Sequence, residues 1–134
     1  MNTNLIQEFL RKENVFAVVG VSSNPEKYGH QVYKDLKEAG YVVYPVNSHI
    51  DEVLGAKCYP SLSDLPEKPD VVDTVVPPAV TEKIVKECKA LGIDKVWMQP
   101  GSESTKAIEF CEKNGIKVVH DVCVMVKRRE VRRT

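Results

Sequence analysis

The feature that most constrains this chain is a short apolar run that ends on glycine and opens into a small polar loop: Asn14-Val15-Phe16-Ala17-Val18-Val19-Gly20-Val21-Ser22-Ser23-Asn24-Pro25-Glu26-Lys27-Tyr28-Gly29. Val15 to Gly20 is too short for a helix and rich in β-branched residues, which predicts a buried strand. A helical pattern begins at about Tyr28. Strand, phosphate-sized turn and helix N-terminus, in that order, form the opening unit of a parallel α/β sheet, with this strand expected as its first and central one.

The rest of the chain repeats that unit. Thr3 or Asn4 is expected to cap a first helix with Leu5, Ile6, Phe9 and Leu10 on one face and Asn14 as its stop. Val32, Tyr33, Leu36 and Ala39 give the helix after the loop a buried stripe, and Gly40 is its expected C′ residue. Tyr41 to Val46 predicts the second strand, with Pro45 near its end. A longer connection begins at Asn47, with two irregular pieces around Gly55 and a helical turn over Ser61 to Leu65. Val71 to Val76 is the third strand, closed by Pro77-Pro78. Val80, Ile84, Cys88 and Leu91 then recur at helical spacing up to Gly92. Lys95 to Met98 is the fourth strand, Ser102 the expected N-cap of the next helix, and Ile116 to Val119 the fifth strand.

Five strands alternating with four main helices predict an α/β fold, a Rossmann-like doubly wound parallel sheet in the order 3-2-1-4-5 with helices on both faces. One domain over residues 1–134 is expected from the length. Ligands of such sheets bind at the carboxyl ends of the strands where the strand order reverses, here expected between strands one and four. The segments gathered there are Gly20 to Gly29, Val46-Asn47-Ser48, Val76-Pro77-Pro78 and Gln99-Pro100-Gly101.

Charge excludes some partners. Lys+Arg and Asp+Glu both number 19, so no net field steers the chain to nucleic acid or a membrane. The basic tail (Lys127, Arg128, Arg129, Arg132, Arg133) lacks interleaved aromatics and reads as a solvated end or one docked on a partner subunit. The N-terminus is polar and no apolar run approaches ~20 residues, so neither signal peptide nor membrane span is expected. Cys58, Cys88, Cys111 and Cys123 form no CxxC pair and no zinc spacing, so no metal is expected; Cys88 and Cys111 fall on apolar faces of predicted helices and are expected as small core residues, and the expected compartment is a reducing cytosol.

The first loop suits a phosphate. Gly20 permits a tight exit, Ser22, Ser23 and Asn24 offer small donors, Lys27 adds a positive charge, and the helix start presents free N–H groups. A plain βα turn favours the same residues, so the loop alone leaves both readings open. A Walker A loop needs GxxxxGK[ST], which is missing. A dinucleotide site needs GxGxxG and an acid at the end of the second strand, where this chain has Gly20, Gly29 and the neutral Asn47.

The run Gly20 to Gly29, then Gly40-Tyr-Val-Val-Tyr-Pro-Val-Asn47, Tyr59-Pro-Ser-Leu-Ser-Asp-Leu-Pro66, Asp73-Thr-Val-Val-Pro-Pro78, Val96-Trp-Met-Gln-Pro-Gly101 and His120-Asp-Val-Cys123, resembles the small stand-alone coenzyme A-binding proteins. Their domain is similar to the N-terminal domain of the succinyl-CoA synthetase α subunit. The resemblance implies that Ser22, Ser23, Asn24, Lys27 and Tyr28 hold the CoA phosphates. It implies that Val46, Asn47, Val76, Pro77 and Pro78 wall the adenosine end, and that Gln99 faces the pantetheine arm. It implies a cytoplasmic protein that binds CoA or an acyl-CoA as a module or sensor without its own catalytic centre, alone, as a homo-oligomer or within a larger CoA-using assembly. The alternatives are a transferase or ligase component using His120 or Cys123, and an NAD-binding regulatory domain. The synthetase's phosphorylated histidine lies in a further domain, which this chain does not match. Cys123 is expected to be packed in an apolar run with Val124 and Met125.

Overall fold

A computed structural model describes residues 3–132. In chain order the elements are α1 (Thr3–Phe9), β1 (Phe16–Val19), α2 (Tyr28–Glu38), β2 (Val43–Val46), β3 (Glu52–Val53), β4 (Ala56–Lys57), a 3-10 turn (Leu62–Asp64), β5 (Val71–Thr74), α3 (Pro78–Leu91), β6 (Lys95–Met98), α4 (Thr105–Lys113), β7 (Lys117–His120) and α5 (Val124–Arg132). Five strands form one parallel sheet, and β3 pairs with β4 as a small separate hairpin. Side chains alternate across the sheet as a two-residue period requires. Phe16, Val18, Val71, Trp97 and Val119 pack under α1, α2 and α5. Ala17, Val19, Val72, Val96 and Met98 pack under α3 and α4. The Rossmann-like α/β architecture is therefore the one the sequence predicts, with both faces of the sheet covered.

The strand order is not. It runs β2-β1-β5-β6-β7, so counting the five strands along the chain it is 2-1-3-4-5 and not 3-2-1-4-5. The central strand is β5, and the order reverses between β1 and β5. The place outside β2 is already taken. Tyr59 runs parallel to Val46 there, donating its N–H to the Pro45 carbonyl (3.0 Å) and accepting from Asn47 N–H (2.9 Å). Burial agrees, since all four residues of β5 are buried whereas Val43 and Tyr44 of β2 are partly exposed. Pro45 carried the signal, because proline is confined to edge strands.

Three local expectations are also corrected. Thr3 and Asn4 lie inside α1 instead of capping it. Ser104, not Ser102, caps α4, its Oγ accepting from Ala107 N–H at 3.3 Å. Ser102 is buried in a hydroxyl cluster instead, 2.6 Å from Thr74 Oγ1. The segment read as a basic tail forms α5, and Arg128 makes two 2.6 Å hydrogen bonds to Asp35 of α2. Arg133 lies outside the described residues.

Candidate functional site

The site is built where β1 and β5 part. Gly20 turns the chain out of β1 with φ +101°, a conformation that favours glycine. A methyl group there would overlap the Val75 carbonyl oxygen and stand 2.8 Å from Val76 Cγ1. Gly29, in the first turn of α2, meets the same loop from the other side: a methyl group would overlap the Gly20 carbonyl oxygen. Two absent side chains thus seat the α2 N-terminus directly on the strand end. Gln31 N–H donates to the Lys27 carbonyl at 3.2 Å, so the N–H groups of Tyr28, Gly29 and His30 precede the first intrahelical bond and give this end a partial positive charge. Sequence reasoning gave Gly29 no role of its own, although its pairing with Gly20 across the loop was the available signal.

Within the loop, Ser22 Oγ accepts from Asn24 N–H and Asn24 Oδ1 accepts from Glu26 N–H, each at 3.0 Å. These local bonds fix the turn. Ser23 and Lys27 stand exposed on its outside. Tyr28 points the other way, into the protein.

Beside Gly20 opens a cleft of about 410 Å³. It brings together Gly20, Val46, Asn47, Val76 and Pro77 from the residues expected by sequence. Pro78 starts α3 as an exposed residue and is not part of the lining. Ser48, His49, Pro60 and Ser61 close the far wall. Sequence reasoning missed Pro60 and Ser61 because their connection has no periodic pattern. The apolar floor of Val46, Val76 and Val80 suits a flat heteroaromatic ring. Asn47 is held on both ends, Nδ2 donating to the Val21 carbonyl (2.6 Å) and Oδ1 accepting from His49 N–H (2.8 Å). Glu87 also reaches the lining, its carboxyl pushed up by burial and by the nearby Asp64. A second groove of about 330 Å³ shares Val76 and Pro77 and runs to Pro100 and Gly101.

Behind the loop lies a polar cluster. Gln99 is fully buried and is not part of the groove lining. Its Nε2 donates to Tyr28 Oη (2.5 Å) and to Cys123 Sγ (3.3 Å), and its Oε1 accepts from Val124 N–H (3.0 Å). Tyr28 O–H donates to Cys123 Sγ at 3.1 Å. The expectation for Cys123 is thereby corrected: it is partly exposed and held by polar donors, not packed in an apolar run. Burial, then the contact with Cys123, pushes the Tyr28 phenol up, so it remains a donor. His120 Nδ1 lies 2.5 Å from Asp121 Oδ2, a neighbour-to-neighbour contact at the end of β7. Among the described residues no group of three or more His, Cys, Asp or Glu is placed to hold a metal.

Asp73 of β5 stands between Val18 and Trp97 in the sheet register. It is 0 % exposed, and neither carboxyl oxygen has a hydrogen-bond partner among the described residues. Burial first, and then Cys123, pushes its carboxyl well above the usual carboxylate range. The folded chain therefore holds a proton that the unfolded chain releases above about pH 4. The stability tied to this proton is full below that pH and is lost as pH rises towards the folded value. Asp73→Asn removes the ionisation. It is expected to unfold at higher urea than the parent, by about 1–3 kcal/mol at neutral pH, with an advantage that shrinks towards pH 4. A pH-independent offset between the two would show that Asp73 is not held neutral.

Comparison with known proteins gives a consistent neighbourhood. Residues 14–129 match the family model described as a CoA binding domain. The chain is 31% identical over 121 residues to protein YneT of Bacillus subtilis, covering 90% of each. It is 34% identical over 119 residues to the α subunit of ADP-forming acetate–CoA ligase II of Pyrococcus furiosus, covering 81% of this chain but 26% of that subunit. A solved structure of a hypothetical protein from Pyrococcus horikoshii superposes with a TM-score of 0.92 at 37% identity, covering 98% of this chain and 92% of the other.

Proposed function

The chain belongs to the CoA-binding domain family, and on that premise we propose that it binds coenzyme A or an acyl-CoA non-covalently, as a binding or sensor module. The observation that carries this reading is the cleft at the β1/β5 reversal, with the α2 N-terminus and Lys27 on the adjoining loop. An adenine ring in the cleft places its pyrophosphate next to the N–H groups of Tyr28, Gly29 and His30. Those groups and Lys27 supply positive charge where phosphate needs it. The groove past Pro100 and Gly101 then offers a path for the pantetheine arm. The NAD reading is disfavoured by Asn47, whose two polar ends are already bonded where a ribose-binding acid is needed.

Isothermal titration of the reduced protein with CoA, against NADH and ATP, tests the reading. Micromolar CoA binding with little response to the other two supports it, and absence of CoA binding refutes it. Lys27→Ala is expected to weaken CoA by roughly tenfold, the scale of one charge-assisted contact, while leaving pantetheine unchanged. Equal losses for both would remove Lys27 from the phosphate site.

A further inference from the structure

The cleft beside Gly20 has unlike ends. At one end the lining is Val19, Gly20, Val76 and Pro77, next to the loop that carries Lys27 and the α2 N-terminus. From Pro77 one face of α3 carries the wall onward through Val80, Ile84 and Glu87, at helical spacing. At a rise of about 1.5 Å per residue, Glu87 lies about 10 Å along the helix from Val80 and about 15 Å from Pro77. The positive end of the cleft and its carboxylate are thus set apart.

Glu87 is the one carboxylate among the described residues that line the cleft. It meets the 3-10 turn, where the Ser63 N–H donates to it and Asp64 stands nearby. The other polar side chains of the lining are engaged or stand at the rim. Asn47 is bonded at both ends, Ser61 Oγ donates to Asp64 Oδ2 at 2.7 Å, and Ser48 and His49 are exposed. The apolar wall between the two ends is uncovered: Val80 is 37 % exposed and Ile84 is half-buried.

A ligand that fits both ends carries an anion near Gly20 and a flat face against Val46, Val76 and Val80. It also carries a hydrogen-bond donor on the ring edge farthest from the anion. An ionised carboxylate accepts and cannot donate. An amino group on that edge meets it with an N–H. A carbonyl on the same edge sets two acceptors against each other and replaces none of the water the carboxylate loses. We propose that Glu87 selects the base: its carboxylate accepts from the exocyclic amine of a 6-aminopurine and rejects a 6-oxopurine of the same shape. The proposal rests on the CoA reading, in which adenine lies in this cleft, and adds the residue that separates adenine from hypoxanthine. Burial, and then Asp64, raise the Glu87 carboxyl, as expected of a carboxylate short of donors, and the incoming N–H supplies one.

The test titrates the reduced protein with CoA and with its inosine counterpart, in which oxygen replaces the 6-amino group. The two ligands carry the same phosphates and pantetheine, so any general effect of the Glu87 charge cancels in the ratio of their affinities. The parent is expected to bind CoA about tenfold tighter or more, the scale of one hydrogen bond to a charged group. Glu87→Gln is expected to bring the ratio below about threefold, because an amide can turn either its N–H or its oxygen to the ligand. Glu87→Ala is expected to bind both ligands alike. Lys86→Gln, a neighbouring change at an exposed residue of α3 outside the lining, is expected to keep the parent ratio. Urea unfolding of each variant establishes that it is folded. A parent ratio near one would overturn the proposal while CoA binding stands. So would a Glu87→Gln ratio equal to that of the parent, or loss of the ratio in Lys86→Gln. Absence of CoA binding by the parent would refute the CoA reading, and the proposal with it.

Discussion

Gly29→Ala is expected to lower the unfolding free energy by about 3 kcal/mol and to weaken CoA binding roughly 100-fold, near 2.7 kcal/mol. In an exposed helix interior the same change gains up to about 1 kcal/mol, because alanine loses less backbone entropy than glycine. Here the sign reverses. The added methyl overlaps the Gly20 carbonyl oxygen, a backbone atom that cannot rotate away. Relief requires α2 to move off the strand end, and that displaces the N–H groups of Tyr28, Gly29 and His30 from the loop. Stability and affinity therefore fall together. Gly55→Ala separates strain from overlap. Gly55 has φ +77° with nothing within 4 Å of the added methyl, so it incurs conformational strain alone, about 1 kcal/mol. Urea unfolding and CoA titration of the two variants measure both quantities. A Gly29→Ala protein as stable as the parent would show that α2 does not rest on Gly20.

The two glycines also show how far local sequence reasoning reaches. The loop is legible because each residue type in it has a local physical cause: β-branched residues extend, glycine turns, and serine and asparagine bond their own backbone. The walls of the cleft are legible where they are strand ends, as with Val46, Asn47, Val76 and Pro77. What local signals do not encode is which strands become neighbours. Adjacency is decided by non-local competition for the edge of β2, won by Tyr59 through two backbone hydrogen bonds. Pro45 holds that information in the sequence, but as a statement about one edge and not about the whole order. Side-chain direction is hidden in the same way. Tyr28 and Gln99 both stand at the predicted end of the sheet, yet both turn inward to Cys123. Asp73 reads as one polar residue within a strand, and its isolation follows from burial by helices distant in the chain.

The last helix was hidden for a different reason: its stabilisation is electrostatic and distant in sequence. Among the nine residues of α5, Val124 is buried, and Arg128 is anchored by the paired 2.6 Å bonds to Asp35. Both side chains are largely shielded, 13% and 12% exposed, and Arg129 adds a weaker contact to the same carboxylate at 3.4 Å. A bidentate pair at this depth is screened little by salt, unlike an exposed one. Asp35→Ala leaves the Arg128 guanidinium shielded and uncompensated, and is expected to cost about 3 kcal/mol. Arg128→Ala leaves the carboxylate with the longer Arg129 contact and is expected to cost less. The double variant is expected to be more stable than the sum of the two losses predicts, because removing both charges removes the uncompensated one. Urea unfolding of the four proteins, at low and high salt, gives the coupling directly. CoA affinity of the folded Asp35→Ala protein is expected to stay within about threefold of the parent, because Gly20, Asn47 and Pro77 lie on other elements and share no partner with this pair. Strict additivity would mean that the pair is geometry without energy, and that apolar burial such as that of Val124 is what holds α5 to the sheet.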